Sequence, residues 1–196
     1  ALNKCAVHMI ALALASSDVK KESCDMDEHN NLARRIARES AVLLKNDDIL
    51  PIKKGTKVAV IGEFAKIPRY QGAGSSLVAS YKVTNVVDEF TKKGIDFEYA
   101  RGYDAKSDMP DMQLITEAVK AAKRADVAIV FAGLPDAYES EGYDRTHLEL
   151  PPSHTMLIES ICNANKSTVA VIYTGGVVVM PWMKLVTEAL LMYLTD

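Results

Sequence analysis

The chain has 196 residues, 48% of them hydrophobic and 25% charged, enough for one α/β domain whose core needs no covalent staples. The 23 Lys and Arg against 26 Asp and Glu give a net charge of −3, which argues against a nucleic-acid binder resting on a basic face. No apolar run reaches the roughly 18 residues of a membrane span. Cys5, Cys24 and Cys162 are odd in number and form no CxxC. A disulfide framework or zinc site is therefore not expected, and a reducing, cytoplasmic setting fits better.

Residues 6–16 (AVHMIALALAS) are apolar but interrupted by His8, with one Lys ahead of them. That favours an apolar helix, or the cut end of something larger, over a secretory signal. Asp25 and Glu28 have the spacing of a capping box and predict a helix with Leu32, Ala33, Ile36, Ala37, Leu43 and Leu44 on its core face. Arg34, Arg35 and Arg38 fall off that face. A Lys53-Lys54-Gly55 turn then leads into 58–62 (VAVIG), a continuous apolar run that suits a strand covered on both faces.

Val83, Val86, Val87 and Phe90 predict the next helix, ending at Gly94. A weaker strand is expected at 97–100 and a helix at 111–124, with Leu114, Ile115, Ala118, Val119 and Ala122 inward. The run 127–133 (VAIVFAG) is the strongest strand in the chain. Ser153 is expected to cap a helix through Leu157, Ile158 and Ile161. Strands follow at 168–173 and 189–192, separated by a short helical turn at 182–186. This alternation predicts an open, mostly parallel α/β sheet of about five to six strands with helices on both faces.

Ligands of such sheets sit in the loops beyond the carboxyl ends of the strands. Three loops stand out: 69–76 (RYQGAGSS), 134–145 (LPDAYESEGYDR) and 174–176 (TGG). The topology brings all three to one edge. The glycines of 71–76 match neither GxGxxG nor GxxxxGK[ST], so a polar loop facing a hydroxyl-rich ligand or a neighbouring domain fits better than a nucleotide cradle. Four carboxylates (Asp136, Glu139, Glu141, Asp144), two tyrosines and Arg145 crowd into ten residues of the second loop. Neighbouring carboxylates raise one another's pKa, the condition for a general acid near neutral pH. A solvated acidic loop with Arg145 paired to Asp144 is the plainer alternative.

No HxH or HExxH occurs, so no metal site is expected, and Ser75 and Ser76 lack the GxSxG of a serine hydrolase. A surface or capping role suits His147 better than catalysis, and Cys162 reads as a small buried hydrophobe. Trp182, after Pro181, suits packing at least as well as stacking on a sugar.

The segments 37–52 (ARESAVLLKNDDILPI), 57–65 (KVAVIGEFA), 69–76 (RYQGAGSS), 99–103 (YARGY), 125–151 (ADVAIVFAGLPDAYESEGYDRTHLELP) and 180–182 (MPW) together resemble the C-terminal α/β-sandwich domain of glycoside hydrolase family 3, the family of many bacterial β-glucosidases. The resemblance runs from about residue 29 to 194. It implies a flavodoxin-like three-layer sandwich over 29–196, preceded by a helical or linker segment at 1–28. It also implies a retaining glycosidase whose nucleophile is an Asp on an N-terminal barrel, in an S/T-D-W-like motif, and whose general acid/base lies in the SEGYDR-like loop.

Carried over by residue, Glu141 is the acid/base, with Glu139 the alternative. Arg69, Gln71, Ser75 and Tyr143 fall at the substrate or interdomain cleft, and Asp144 and Arg145 brace the loop. The implied partners are a β-glucoside or related carbohydrate and the barrel of the same protein. No cofactor is implied, and a homo-oligomer is compatible with the chain.

The sequence departs from the family in holding no S/T-D-W motif and no barrel. It stops at Thr195-Asp196, where the family continues with a GQ-containing segment, so a domain-sized piece is expected. Retention needs two carboxyl groups about 5–5.5 Å apart on opposite sides of the sugar. Glu139 and Glu141, roughly 6.6 Å apart between Cα atoms if the segment is extended, approach from one side only. These 196 residues alone are therefore expected to be inactive. A non-catalytic flavodoxin-like module binding a sugar or an anion is the competing reading.

Overall fold

In the computed structural model, residues 1–17, 19 and 23–194 are described. The expectations that touch Thr195 and Asp196, and parts of the 1–28 segment, lie outside them. The strands are Val42–Asn46 (β1), Val58–Ile61 (β2), Phe97–Ala100 (β3), Val127–Gly133 (β4), Thr168–Tyr173 (β5) and Glu188–Met192 (β6). The helices are Leu2–Ser17 (α1), Met26–Glu39 (α2), Val86–Lys92 (α3), Met112–Arg124 (α4) and Pro152–Ala164 (α5). One open sheet runs in the order β1-β6-β5-β4-β2-β3, parallel throughout except where β1 meets β6.

The continuous apolar runs are strands because both faces are covered. Every residue of β2 and β4 is buried, and five of the six in β5. Each Val, Ile or Leu withdrawn in this way contributes roughly 1.5–3 kcal/mol. The central three strands therefore hold most of the core. Helices α4 and α5 pack on one another and on one face of the sheet. The crossover from β2 to β3 runs opposite to those from β3 to β4 and from β4 to β5, so right-handed connections put α3 on the other face. Asp111 caps α4 through the Gln113 and Leu114 N–H groups, and Asn85 caps α3 through Asp88 N–H.

Several expectations are corrected. Leu43 and Leu44 do not extend the helix capped by Asp25, which ends at Glu39; they form β1, pairing antiparallel with β6. Asp25 does cap that helix, accepting from the N–H groups of Asp27 and Glu28. Its expected core face is not buried: Leu32 and Ile36 are 44% and 50% exposed. The helix runs unbroken through residues 28 and 29. Val83 precedes α3. Ser153 is not the cap of α5: Pro151 holds that position, and buried Ser153 donates its hydroxyl to the Ser107 carbonyl instead. Residues 2–17 are helical, with no residue buried.

The chain leaves β2 for β3 on one side of the sheet, then crosses to place β4 on the other. That reversal opens a crevice beyond the carboxyl ends of β2 and β4, the position where open α/β sheets bind ligands.

Candidate active site at the carboxyl edge of the sheet

The loops after β2, β4 and β5 meet at this edge, joined by hydrogen bonds rather than by proximity alone. Arg69 is the hub, with only 7% of its surface exposed. Its Nε donates to the Leu134 carbonyl at 3.1 Å and Nη2 to the Glu139 carbonyl at 2.7 Å. Nη1 reaches the Gln71 carbonyl and lies 2.7 Å from the Asp136 carboxylate. Gln71, equally buried, folds its amide back on its own loop: Val78 N–H donates to Oε1, and Nε2 donates to the Val78 carbonyl. Both side chains thus spend their polar groups inside the scaffold.

The acidic loop is not extended. Tyr138 and Glu139 N–H close a first turn on the Pro135 carbonyl, and Tyr143 N–H closes a second on Ser140. Gly142 occupies the third position of that second turn at φ +78°, the left-handed conformation that favours glycine. Two turns in succession send the two glutamates to different places. The Glu139 carboxylate faces β5, with both oxygens 3.0 Å from Gly175 N–H. Glu141 stands at the tip of the second turn, exposed, and accepts from the Ser75 hydroxyl.

The glycine loop sets the position of Glu141. Its N–H donates to the Ala73 carbonyl at 3.0 Å. A Cβ on Gly74 would stand 3.0 Å from the Glu141 Cβ, so only glycine lets the loop approach this closely.

Glu141 opens onto a cavity of about 370 Å³ whose lining includes Gly72, Ser76, Glu139, Tyr143, Asp144 and Arg145. Tyr143 is 57% exposed, and Asp144 is exposed and forms no ion pair with Arg145. Arg145 donates Nη2 to the Val177 carbonyl at 2.9 Å, tying the acidic loop to the one after β5. Its Nη1 is buried without a protein partner. Unclaimed donors and acceptors around a small cavity suit a hydroxyl-rich ligand. Among the described residues, no three His, Cys, Asp or Glu gather as a metal site, and no helix is long and apolar enough to cross a membrane.

Trp182 is fully buried, so it packs and presents no face to a sugar. Cys162 is also buried, its thiol pushed up to about 11 by desolvation. His147 pairs with Glu149 at 3.2 Å and packs edge-on against Tyr138.

Two supports escaped sequence reasoning. The Gly175 N–H that takes Glu139 carries no side-chain signal. His154 is 1% exposed, receives Gly133 N–H at Nδ1 and lies against the Tyr103 ring with centroids 3.8 Å apart. Burial pushes its pKa down to about 3, holding the imidazole neutral. Tyr103 in turn donates to the Phe131 carbonyl, bracing the end of β4 from which the acidic loop departs.

The fold is an open, mostly parallel α/β sheet that presents an acidic turn at its carboxyl edge. Residues 41–195 match the profile of the glycosyl hydrolase family 3 C-terminal domain, and the chain belongs to that family. It is 44% identical over 199 residues to thermostable beta-glucosidase B of Acetivibrio thermocellus, covering 98% of this chain and 26% of that protein. An exo-alpha-(1->6)-L-arabinopyranosidase of Bifidobacterium longum is 41% identical, over 91% of this chain and 25% of its own length. The crystal structure of a Bifidobacterium adolescentis family 3 beta-glucosidase superposes with a TM-score of 0.88 at 39% identity, over 96% of this chain and 28% of that one. The chain thus spans about a quarter of the length of the relatives it matches.

Proposed function

We propose that this domain supplies the general acid/base of a retaining glycoside hydrolase acting on terminal β-D-glycosides, β-glucosides foremost, and that Glu141 is that residue. The carrying observation is the contrast between the two glutamates. Glu139 has both oxygens turned to a backbone N–H, whereas Glu141 is exposed at a turn tip beside a polar cavity. The relatives named as beta-glucosidases support the substrate class.

In the first step Glu141 gives its proton to the glycosidic oxygen as the bond to the anomeric carbon breaks, while a carboxylate on the far side of the sugar forms the glycosyl ester. In the second, Glu141 takes a proton from the water that opens that ester. The family resemblance assigns the far carboxylate to the barrel, and no S/T-D-W motif lies in these 196 residues. Ser75 holds the Glu141 carboxylate from the glycine loop and orients it. Arg145 and Tyr143 are positioned to meet sugar hydroxyls. Asp144 directly follows that turn, in the loop that presents them.

The test is Glu141→Gln in the full-length protein. The expected result is a fall of about 10²–10⁴-fold in kcat/KM for alkyl glucosides, and a far smaller fall for a dinitrophenyl glucoside, whose leaving group needs no proton. Equal losses on both substrates, or none, would sink the assignment. The 196-residue chain by itself is expected to release no aryl alcohol from an aryl β-glucoside.

A further inference from the structure

Residues 72–77 (GAGSSL) form the loop against which Glu141 stands, and they have little packing of their own. Ala73 is buried, but Ser75 and Ser76 are exposed and Leu77 is 65% exposed. Leu77 N–H closes on the Gly74 carbonyl and the Ser76 hydroxyl on the Ala73 carbonyl, both at 3.2 Å. These bonds shape the loop without fastening it to the sheet. A short loop with two glycines needs an outside anchor to hold one conformation.

Gln71 supplies that anchor. Val78 N–H donates to its Oε1 at 3.0 Å, and Nε2 donates to the Val78 carbonyl at 3.1 Å. One donor and one acceptor exchanged with the backbone of a single residue is the pattern of an antiparallel bridge, made here by a side chain. The two bonds close 72–77 into a ring. Nε2 also donates to the Tyr70 oxygen at 3.1 Å, which receives the Ser80 hydroxyl at the same distance. The Gln71 carbonyl is held by Arg69. Both hydrogens of the buried amide are therefore spent, and none is left for a ligand. The far side of the ring meets the acid. The Ala73 carbonyl takes Glu141 N–H, and the Ser75 hydroxyl reaches the Glu141 carboxylate.

A general acid works only within hydrogen-bond reach of the leaving oxygen, and a misplacement of about 1 Å can cost about 10²-fold. We infer that Gln71 is a positioning residue for the acid: by clamping Val78 it fixes the glycine loop, and the loop fixes where the Glu141 carboxylate stands. The inference rests on the reading of Glu141 as the acid. It assigns Gln71 a part in proton transfer alone, through Ala73 and Ser75, and none in holding the sugar.

The test is Gln71→Met in the full-length protein, which keeps the length of the side chain and removes the amide. kcat/KM is measured for methyl β-D-glucoside, whose leaving group needs the proton, and for a dinitrophenyl β-D-glucoside, whose leaving group does not. The methyl-to-dinitrophenyl ratio is expected to fall roughly tenfold. Both rates come from one preparation, so any loss of folded protein cancels from the ratio. A fall of less than about threefold overturns the inference, and so does an equal loss on both substrates, which a sugar ligand or a general support would give. Glu141→Gln is measured alongside. A fall in its ratio with none for Gln71→Met overturns the positioning role and leaves the acid in place; no fall in its own ratio removes the acid assignment and this inference with it. Adding Gln71→Met to Glu141→Gln is expected to leave the ratio within about twofold, because no acid remains to misplace. A larger further fall overturns the inference.

Discussion

Residues 136–139 and 141–145 belong to one loop and have much the same composition, yet the structure treats them in opposite ways. The first arm is pinned. Arg69 gathers the carbonyls of Leu134 and Glu139 and the carboxylate of Asp136, and Gly175 takes the Glu139 side chain. The second arm is held by its backbone and by the Arg145 bond to the Val177 carbonyl, and leaves Glu141, Tyr143 and Asp144 exposed. Acidic residues two positions apart thus acquire different surroundings, Glu139 at the Gly175 N–H and Glu141 at the Ser75 hydroxyl.

The sharpest way to break this comparison is to make the same substitution on both arms. Glu141→Gln is expected to cost about 10²–10⁴-fold in kcat/KM. Glu139→Gln exchanges a charged acceptor for a neutral one at Gly175, lowering stability by about 1 kcal/mol with a much smaller effect on turnover. If the activity losses are equal, the two arms do not differ as described.

Next in size is the hub. Arg69→Met would leave the Leu134, Gln71 and Glu139 carbonyls without their donor. Because Asp136 is 76% exposed and its attraction largely screened, the expected loss is set by the carbonyls, about 3 kcal/mol in total. The urea midpoint measures it, and an unchanged midpoint would mean the first arm is not pinned by Arg69.

The smallest effect concerns the root of the loop and pH. His154 has a pKa of about 3 in the fold, against 6.5 ordinarily. The unfolded chain therefore binds the proton first as pH falls. The stability this burial permits is complete above about pH 6.5 and declines toward pH 3, by about 2 kcal/mol at pH 5. Unfolding free energies from urea titrations at pH 7 and pH 5 should differ by that much in the wild-type chain. They should move closer together in His154→Gln, which keeps an acceptor for Gly133 but does not titrate. An unchanged pH 7 to pH 5 difference in the variant would refute this source of acid sensitivity.

The central strands were legible because a strand covered on both faces must be apolar at nearly every position, and 58–61, 127–133 and 169–172 are apolar throughout. The caps at Asp25 and Asp111 are of the same local kind, each an Asp accepting from the N–H groups two and three residues on. β1 was not legible. Val42-Leu43-Leu44 follows a helix without a Gly or Pro between them, and only the free edge of β6 turns it into a strand. Leu32 and Ile36 carry a helical apolar stripe that stays exposed among the described residues, and no local rule tells an exposed stripe from a buried one.

At the site, sequence by itself determined which residues are gathered: the acidic cluster, the glycine loop and Thr174-Gly175-Gly176 all follow sheet strands, and parallel topology forces their ends to one edge. It left Glu139 and Glu141 as alternatives because both have the same chemistry and neighbouring positions. Tertiary structure gives them different surroundings through two tight turns and one backbone N–H from a loop 36 residues away in the chain. Hydrogen bonds between loops depend on where the strands end in space, and that placement exists only once the core has packed.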